Sequence, residues 1–81
     1  MAEVHLHAGL RDLSGGVSVL EIDAPTVRAL IRELDTRFPG LGERLSAGTN
    51  VAINGEIIPD AELEPIPEGA EIHFLEAISG G

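Results

Sequence analysis

Few side chains in this sequence are able to do chemistry. There are three histidines (His5, His7 and His73), fourteen carboxylates and five arginines. Cysteine is absent, which removes thiol nucleophiles, disulfides, iron–sulfur clusters and cysteine-type zinc sites. Lysine is absent, which removes Schiff-base chemistry. Without tyrosine or tryptophan there is no platform on which to stack bases. The formal net charge of −9 opposes binding to nucleic acid or anionic lipid, because both depend on cations meeting phosphates. The same charge suits a protein partner with a basic groove and also serves as a solvated coat.

Spacing narrows the candidates. Glu62, Glu64, Glu68 and Glu71 lack the Asp/Asn/Gly rhythm of a calcium loop and lie beside prolines, so they read as an acidic loop. Ser14-Gly15-Gly16 lacks the trailing Gly-Lys-Ser/Thr of a phosphate loop and reads as a turn. No serine sits in a nucleophile-elbow context. Arg11 and Arg44 read as balancing local acids. The last seven residues, LEAISGG, end on Gly80-Gly81. Two glycines in succession make a thin backbone that reaches angles closed to other residues.

The elements that must position these residues follow from periodicity. At 81 residues the chain is one domain, able to bury roughly 60% of its unfolded surface. Apolar and polar residues alternate over 4–8 and 17–22, which predicts two strands joined through Ser14-Gly15-Gly16 as a hairpin. Pro25-Thr26 is a helix entry with Thr26 as N-cap. Val27, Leu30, Ile31, Leu34 and Phe38 form one apolar stripe, and Pro39-Gly40 ends the helix. Residues 41–45 add a short helical turn. Residues 50–53 and 56–58 are strands about the hairpin dipeptide Asn54-Gly55. Residues 59–67 cross irregularly, with Leu63 expected in the core. The last strand covers 71–77, with Ile72 and Phe74 on one face and His73 and Leu75 on the other. The order β-β-α-β-β-β is an α+β fold: a mixed sheet of four to five strands with one main helix on one face. No apolar run reaches the length of a membrane span. The first residues carry no secretory signal pattern, so the expected location is the cytoplasm.

Several stretches resemble the MoaD/ThiS family of ubiquitin-like sulfur carriers. Leu10-Arg11-Asp12-Leu13-Ser14-Gly15 is similar to the segment after the family's first strand. Pro25-Thr26-Val27-Arg28-Ala29-Leu30 resembles the helix start of the small subunit of molybdopterin synthase. Val51-Ala52-Ile53-Asn54-Gly55-Glu56 resembles the hairpin shared by both carriers, and Glu68-Gly69-Ala70-Glu71-Ile72 the turn into the last strand. Ser79-Gly80-Gly81 matches the terminal Gly-Gly. One departure lies at Glu76-Ala77, where molybdopterin-type carriers usually have a proline pair; the AISGG ending is also similar to carriers for transfer-RNA thiolation.

The resemblance implies a β-grasp domain over 1–77 and a flexible tail over 78–81. It implies that the Gly81 carboxylate, presented with Gly80, is adenylated by an E1-like adenylyltransferase of the MoeB/ThiF kind using ATP and Mg²⁺. A persulfide donor then supplies sulfur, giving a thiocarboxylate. The expected acceptor is a MoaE-like synthase large subunit, with thiamine, cysteine or transfer-RNA thiolation as alternatives. Conjugation to lysines of other proteins, or a non-reactive interaction module, are further alternatives. The chain itself is then no enzyme, binds no cofactor or metal, and meets partners through Phe74, Leu75, Ile78 and Ser79. In such a fold the first and last strands are parallel neighbours, which directs His73 toward the face of His5 and His7. The sequence shows no acidic pattern around these histidines that favours zinc, so they are read as solvent- or partner-facing, with sensitivity to pH near neutrality if they cluster.

Overall fold

The computed structural model describes residues 1–46, 49–59 and 61–76. The elements are β1 (Ala2–Leu6), β2 (Val19–Ile22), α1 (Val27–Arg37), α2 (Leu41–Ser46), β3 (Thr49–Ile53), β4 (Glu56–Ile58) and β5 (Glu71–Glu76), with short 3₁₀ turns at Ala8–Leu10 and Ala61–Leu63. The five strands form one mixed sheet in the order β2-β1-β5-β3-β4. β1 and β5 run parallel, and every other pairing is antiparallel. The chain's two ends therefore meet in the middle of the sheet, and β5 lies between β1 and β3.

Local chemistry accounts for the helix and the hairpin. The Thr26 hydroxyl accepts a 3.2 Å hydrogen bond from the Ala29 N–H and caps α1. Val27, Leu30 and Leu34 on its stripe are buried against the sheet. The chain leaves α1 through Pro39 and Gly40. Asp35 Oδ1 then accepts from the N–H groups of Gly40 (3.1 Å) and Gly42 (3.0 Å), which satisfies donors at the start of α2. At the β3–β4 hairpin both turn residues have positive φ, Asn54 at 52° and Gly55 at 84°, as a type I′ turn requires. Asn54 also accepts from the Glu71 N–H and donates its own N–H to the Glu71 carbonyl, so the hairpin tip is bound to the start of β5.

Three local expectations are corrected. β1 covers Ala2–Leu6 rather than 4–8, because His7 leaves the strand and caps the following 3₁₀ turn: its Nδ1 accepts from the Gly9 N–H at 3.0 Å. β1 and β2 pair as the expected antiparallel hairpin, but β2 covers Val19–Ile22 rather than 17–22, and residues 7–18 form a folded connection that includes the expected turn at Ser14-Gly15-Gly16. Ser14 is buried inside it, donating to the carbonyls of Val17 and Arg11. Leu63 is 75% exposed and lies outside the core. Ala61 is buried in its place, while Ile66 is half-buried and donates its N–H to the Pro25 carbonyl. The prolines on either side of Ile66 confine the segment to the entrance of α1, where the Val27 N–H donates to the Glu64 carbonyl.

Candidate functional site

β5 positions everything that follows it. Ile72 and Phe74 point inward and are 0% and 1% exposed, locked against Val4, Leu6 and the α1 stripe. The expected alternation along β5 is therefore present. It also corrects one expectation: Phe74 is a core residue, closed to a docking partner by its burial. Leu75 faces the other way and is half-buried on the open side of the sheet. Beside it is a shallow depression of about 290 Å³, bordered by His5, Val19, His73, Leu75 and Arg11. Val19 is 50% exposed there. Ile78, Ser79, Gly80 and Gly81 lie outside the described residues. The described structure thus places the strand from which the chain enters its last five residues at the centre of the sheet, held by partners on both edges.

The histidines separate into two groups. His5 and His73 are cross-strand partners in the β1–β5 register. Their rings stack with centroids 4.2 Å apart and planes 6° from parallel. His7 does not join them, being turned back onto Gly9. What joins them instead is acidic. Glu3 and Glu71 are also register partners, two residues before each histidine. The Nε2–H of His5 donates to Glu3 Oε1 at 2.7 Å, and that of His73 donates to Glu71 Oε1 at 2.6 Å. The Glu71 carboxyl is held below its ordinary value of 4.5, first by the hydrogen bond from His73 and then by the charges of His73 and His5. The signal for this group is present in the sequence as a repeated Glu-x-His, Glu3-Val4-His5 and Glu71-Ile72-His73. It is visible only once the two copies are set side by side in register.

Arg44 donates from Nη2 to the Gly9 carbonyl at 3.1 Å, bracing the connection that follows β1. Among the described residues, Glu62, Glu64 and Glu68 join no cluster with Glu71. Glu64 is half-buried beside the start of α1, and Glu68 pairs with the N-terminal amine at 2.5 Å. That contact raises the amine above its ordinary value of 8.0.

The sequence matches the ThiS family over residues 4–81. The chain belongs to the ThiS family. No curated protein sequence matches it. Among solved structures it is similar to a chain of the BexX/CysO complex of Amycolatopsis orientalis, with 25% identity, complete coverage of both chains and a TM-score of 0.88. It is also similar to a putative molybdopterin converting factor subunit 1 from Pyrococcus furiosus, with 26% identity, 95% of this chain and 97% of the other covered, and a TM-score of 0.76. A third likeness is to SAMP1 from Haloferax volcanii, with 26% identity, 99% and 98% coverage and a TM-score of 0.69. This ThiS-family chain has the ubiquitin-like β-grasp fold of small sulfur carriers, with one main helix, α1, and the short helical turn expected over 41–45 formed as α2.

Proposed function

We propose that this chain carries sulfur on the carboxylate of Gly81. The observation that carries the reading is the ThiS-family match, which extends through Gly80-Gly81. An E1-like adenylyltransferase joins the Gly81 carboxylate to AMP, using ATP and Mg²⁺ and releasing pyrophosphate. The terminal sulfur of a persulfide donor attacks the acyl-adenylate and displaces AMP, forming an acyl disulfide. A thiol reductant cleaves its S–S bond and leaves the thiocarboxylate. The residues suit these steps. Gly80 and Gly81 have no Cβ to crowd the attacked carbonyl or the channel leading to it. The chain has no cysteine or lysine of its own to intercept the activated acyl group. Leu75 and the depression beside it offer an apolar foothold for the partner at the root of the tail, with Ile78 and Ser79 continuing it.

The acceptor we propose is a MoaE-like large subunit of molybdopterin synthase. The helix start PTVRAL and the likeness to the Pyrococcus furiosus converting factor subunit support it. A second reading, favoured by the full-length likeness to a chain of the BexX/CysO complex, delivers the same thiocarboxylate to a different acceptor.

Intact mass spectrometry after incubation with an E1-like enzyme, ATP, Mg²⁺, a persulfide donor and a thiol reductant tests the carrier step. The expected product has one carboxylate oxygen replaced by sulfur. A chain lacking Gly81 is expected to fold normally and remain unmodified. Equal modification of the truncated chain would overturn the assignment. Adding candidate acceptors then separates the two readings by which one discharges the sulfur. Adducts on lysines of other proteins would assign the chain to protein modification instead.

A further inference from the structure

The repeated Glu-x-His motif sits on the open face of the sheet, and each copy comes from the opposite end of the chain. The parallel register of β1 and β5 sets Glu3 beside Glu71 and His5 beside His73. One ligand atom from each of His5, His73 and Glu71 falls within 4.8 Å of the other two. Glu3 Oε1 lies 2.7 Å from His5 Nε2, at the edge of the same group. We propose that these residues form a divalent transition-metal site of the zinc class, with His5, His73 and Glu71 as ligands and Glu3 closing the fourth position.

Two imidazoles with carboxylate oxygen are a donor set that suits zinc and its neighbours better than calcium or magnesium, which take oxygen alone. The stacked rings stand 4.2 Å apart. Tetrahedral zinc at its usual bond lengths needs ligand nitrogens about 3.3 Å apart, each in a ring plane that contains the ion, so the two imidazoles rotate out of their parallel stack on binding. Space for that rotation exists. The side chains of His5 and His73 are 26% and 36% exposed, and those of Glu3 and Glu71 are 52% and 57%. On the far side of His73 the register partner is Ala52, the smallest side chain able to flank it. A metal ion replaces the Nε2 protons that now bridge to the carboxylates and brings positive charge to an acidic surface. The backbone beneath is rigid, because the residues between each Glu and His, Val4 and Ile72, are both 0% exposed.

Zinc alone is the probe, titrated into untagged protein against a chromophoric chelator near neutral pH. The expected result is one zinc per chain. His73→Asn and Glu71→Gln, both on the open face, are each expected to weaken binding by roughly 10-fold or more, and His5→Asn with His73→Asn to abolish it. His7→Asn is expected to bind as the parent does, because His7 is turned onto Gly9. Calcium and magnesium at the same concentration are expected not to compete. Zinc at roughly 100 times its dissociation constant is expected to raise the melting temperature of the parent by about 15 °C, and not that of the double variant. Absence of stoichiometric binding overturns the proposal. So does binding that survives unchanged in a double variant with a parent-like circular dichroism spectrum.

Discussion

On β5, Ile72 and Phe74 are 0% and 1% exposed, while His73 and Leu75, one position along from each, keep part of their surface in water. β1 has the same division, with Val4 and Leu6 buried and Glu3 and His5 on the outside. The two faces of one sheet therefore divide the work. The inner face supplies apolar area that packs on α1 and holds the strands. The outer face carries polar groups whose positions are fixed by that packing and whose own removal costs the fold little. A strand places alternate side chains on opposite faces, so a site can be built at every second residue without interrupting the core.

The sharpest test of this contrast is a pair of neighbouring truncations. Phe74→Ala is expected to destabilise the protein by about 3–5 kcal/mol, through lost burial and the cavity left behind. Leu75→Ala is expected to cost under about 1 kcal/mol, as a partly exposed residue does, while weakening association with the proposed adenylyltransferase or acceptor. Urea denaturation measures the first effect and titration calorimetry the second. Equal destabilisation by the two would break the division between faces.

Smaller effects are expected where local devices hold the frame. Gly55→Ala places a Cβ at φ +84°, where nothing lies within 4 Å, so its cost is backbone strain alone, about 1–2 kcal/mol. Thr26→Ala removes the α1 cap and is expected to cost about 1 kcal/mol by the same denaturation measurement. Loss of either without effect would show that strand register and helix entry are set by tertiary packing alone.

The smallest expected effect belongs to the outer face. The carboxyl of Glu71 has its folded value depressed below 4.5 by His73 and His5. Its stabilising contribution is therefore complete above that ordinary value and is lost as the pH falls through the depressed one. Melting curves of the parent and of Glu71→Gln, taken from neutral pH downward, are expected to differ slightly at first and to converge below 4.5. A gap that persists in strong acid would mean that the glutamine disturbs packing rather than charge.

Much of the frame was legible in short stretches of sequence. Pro25-Thr26 with its following stripe identified α1 and its cap. Asn54-Gly55 identified the β3–β4 turn, because few other dipeptides tolerate two positive φ values in succession. Leu63 was misplaced, since in an irregular segment neither a helical nor a strand period says which apolar residue turns inward. The connection is longer than the strand periods imply, running from 7 to 18, because its fold depends on the buried Ser14 hydroxyl and on the capping side chain of His7.

By itself the sequence determined the alternation of β5, the helix stripe and the Gly80-Gly81 ending, all of which depend on neighbours a few residues apart. Only the tertiary structure decided that Glu3, His5, Glu71 and His73 stand together as one four-residue group. That depends on two strands pairing in parallel and in register, with partners 68 positions apart (71 − 3 for Glu3 and Glu71). A slip of one residue would have turned one copy of the pair into the core, and no local pattern encodes that choice.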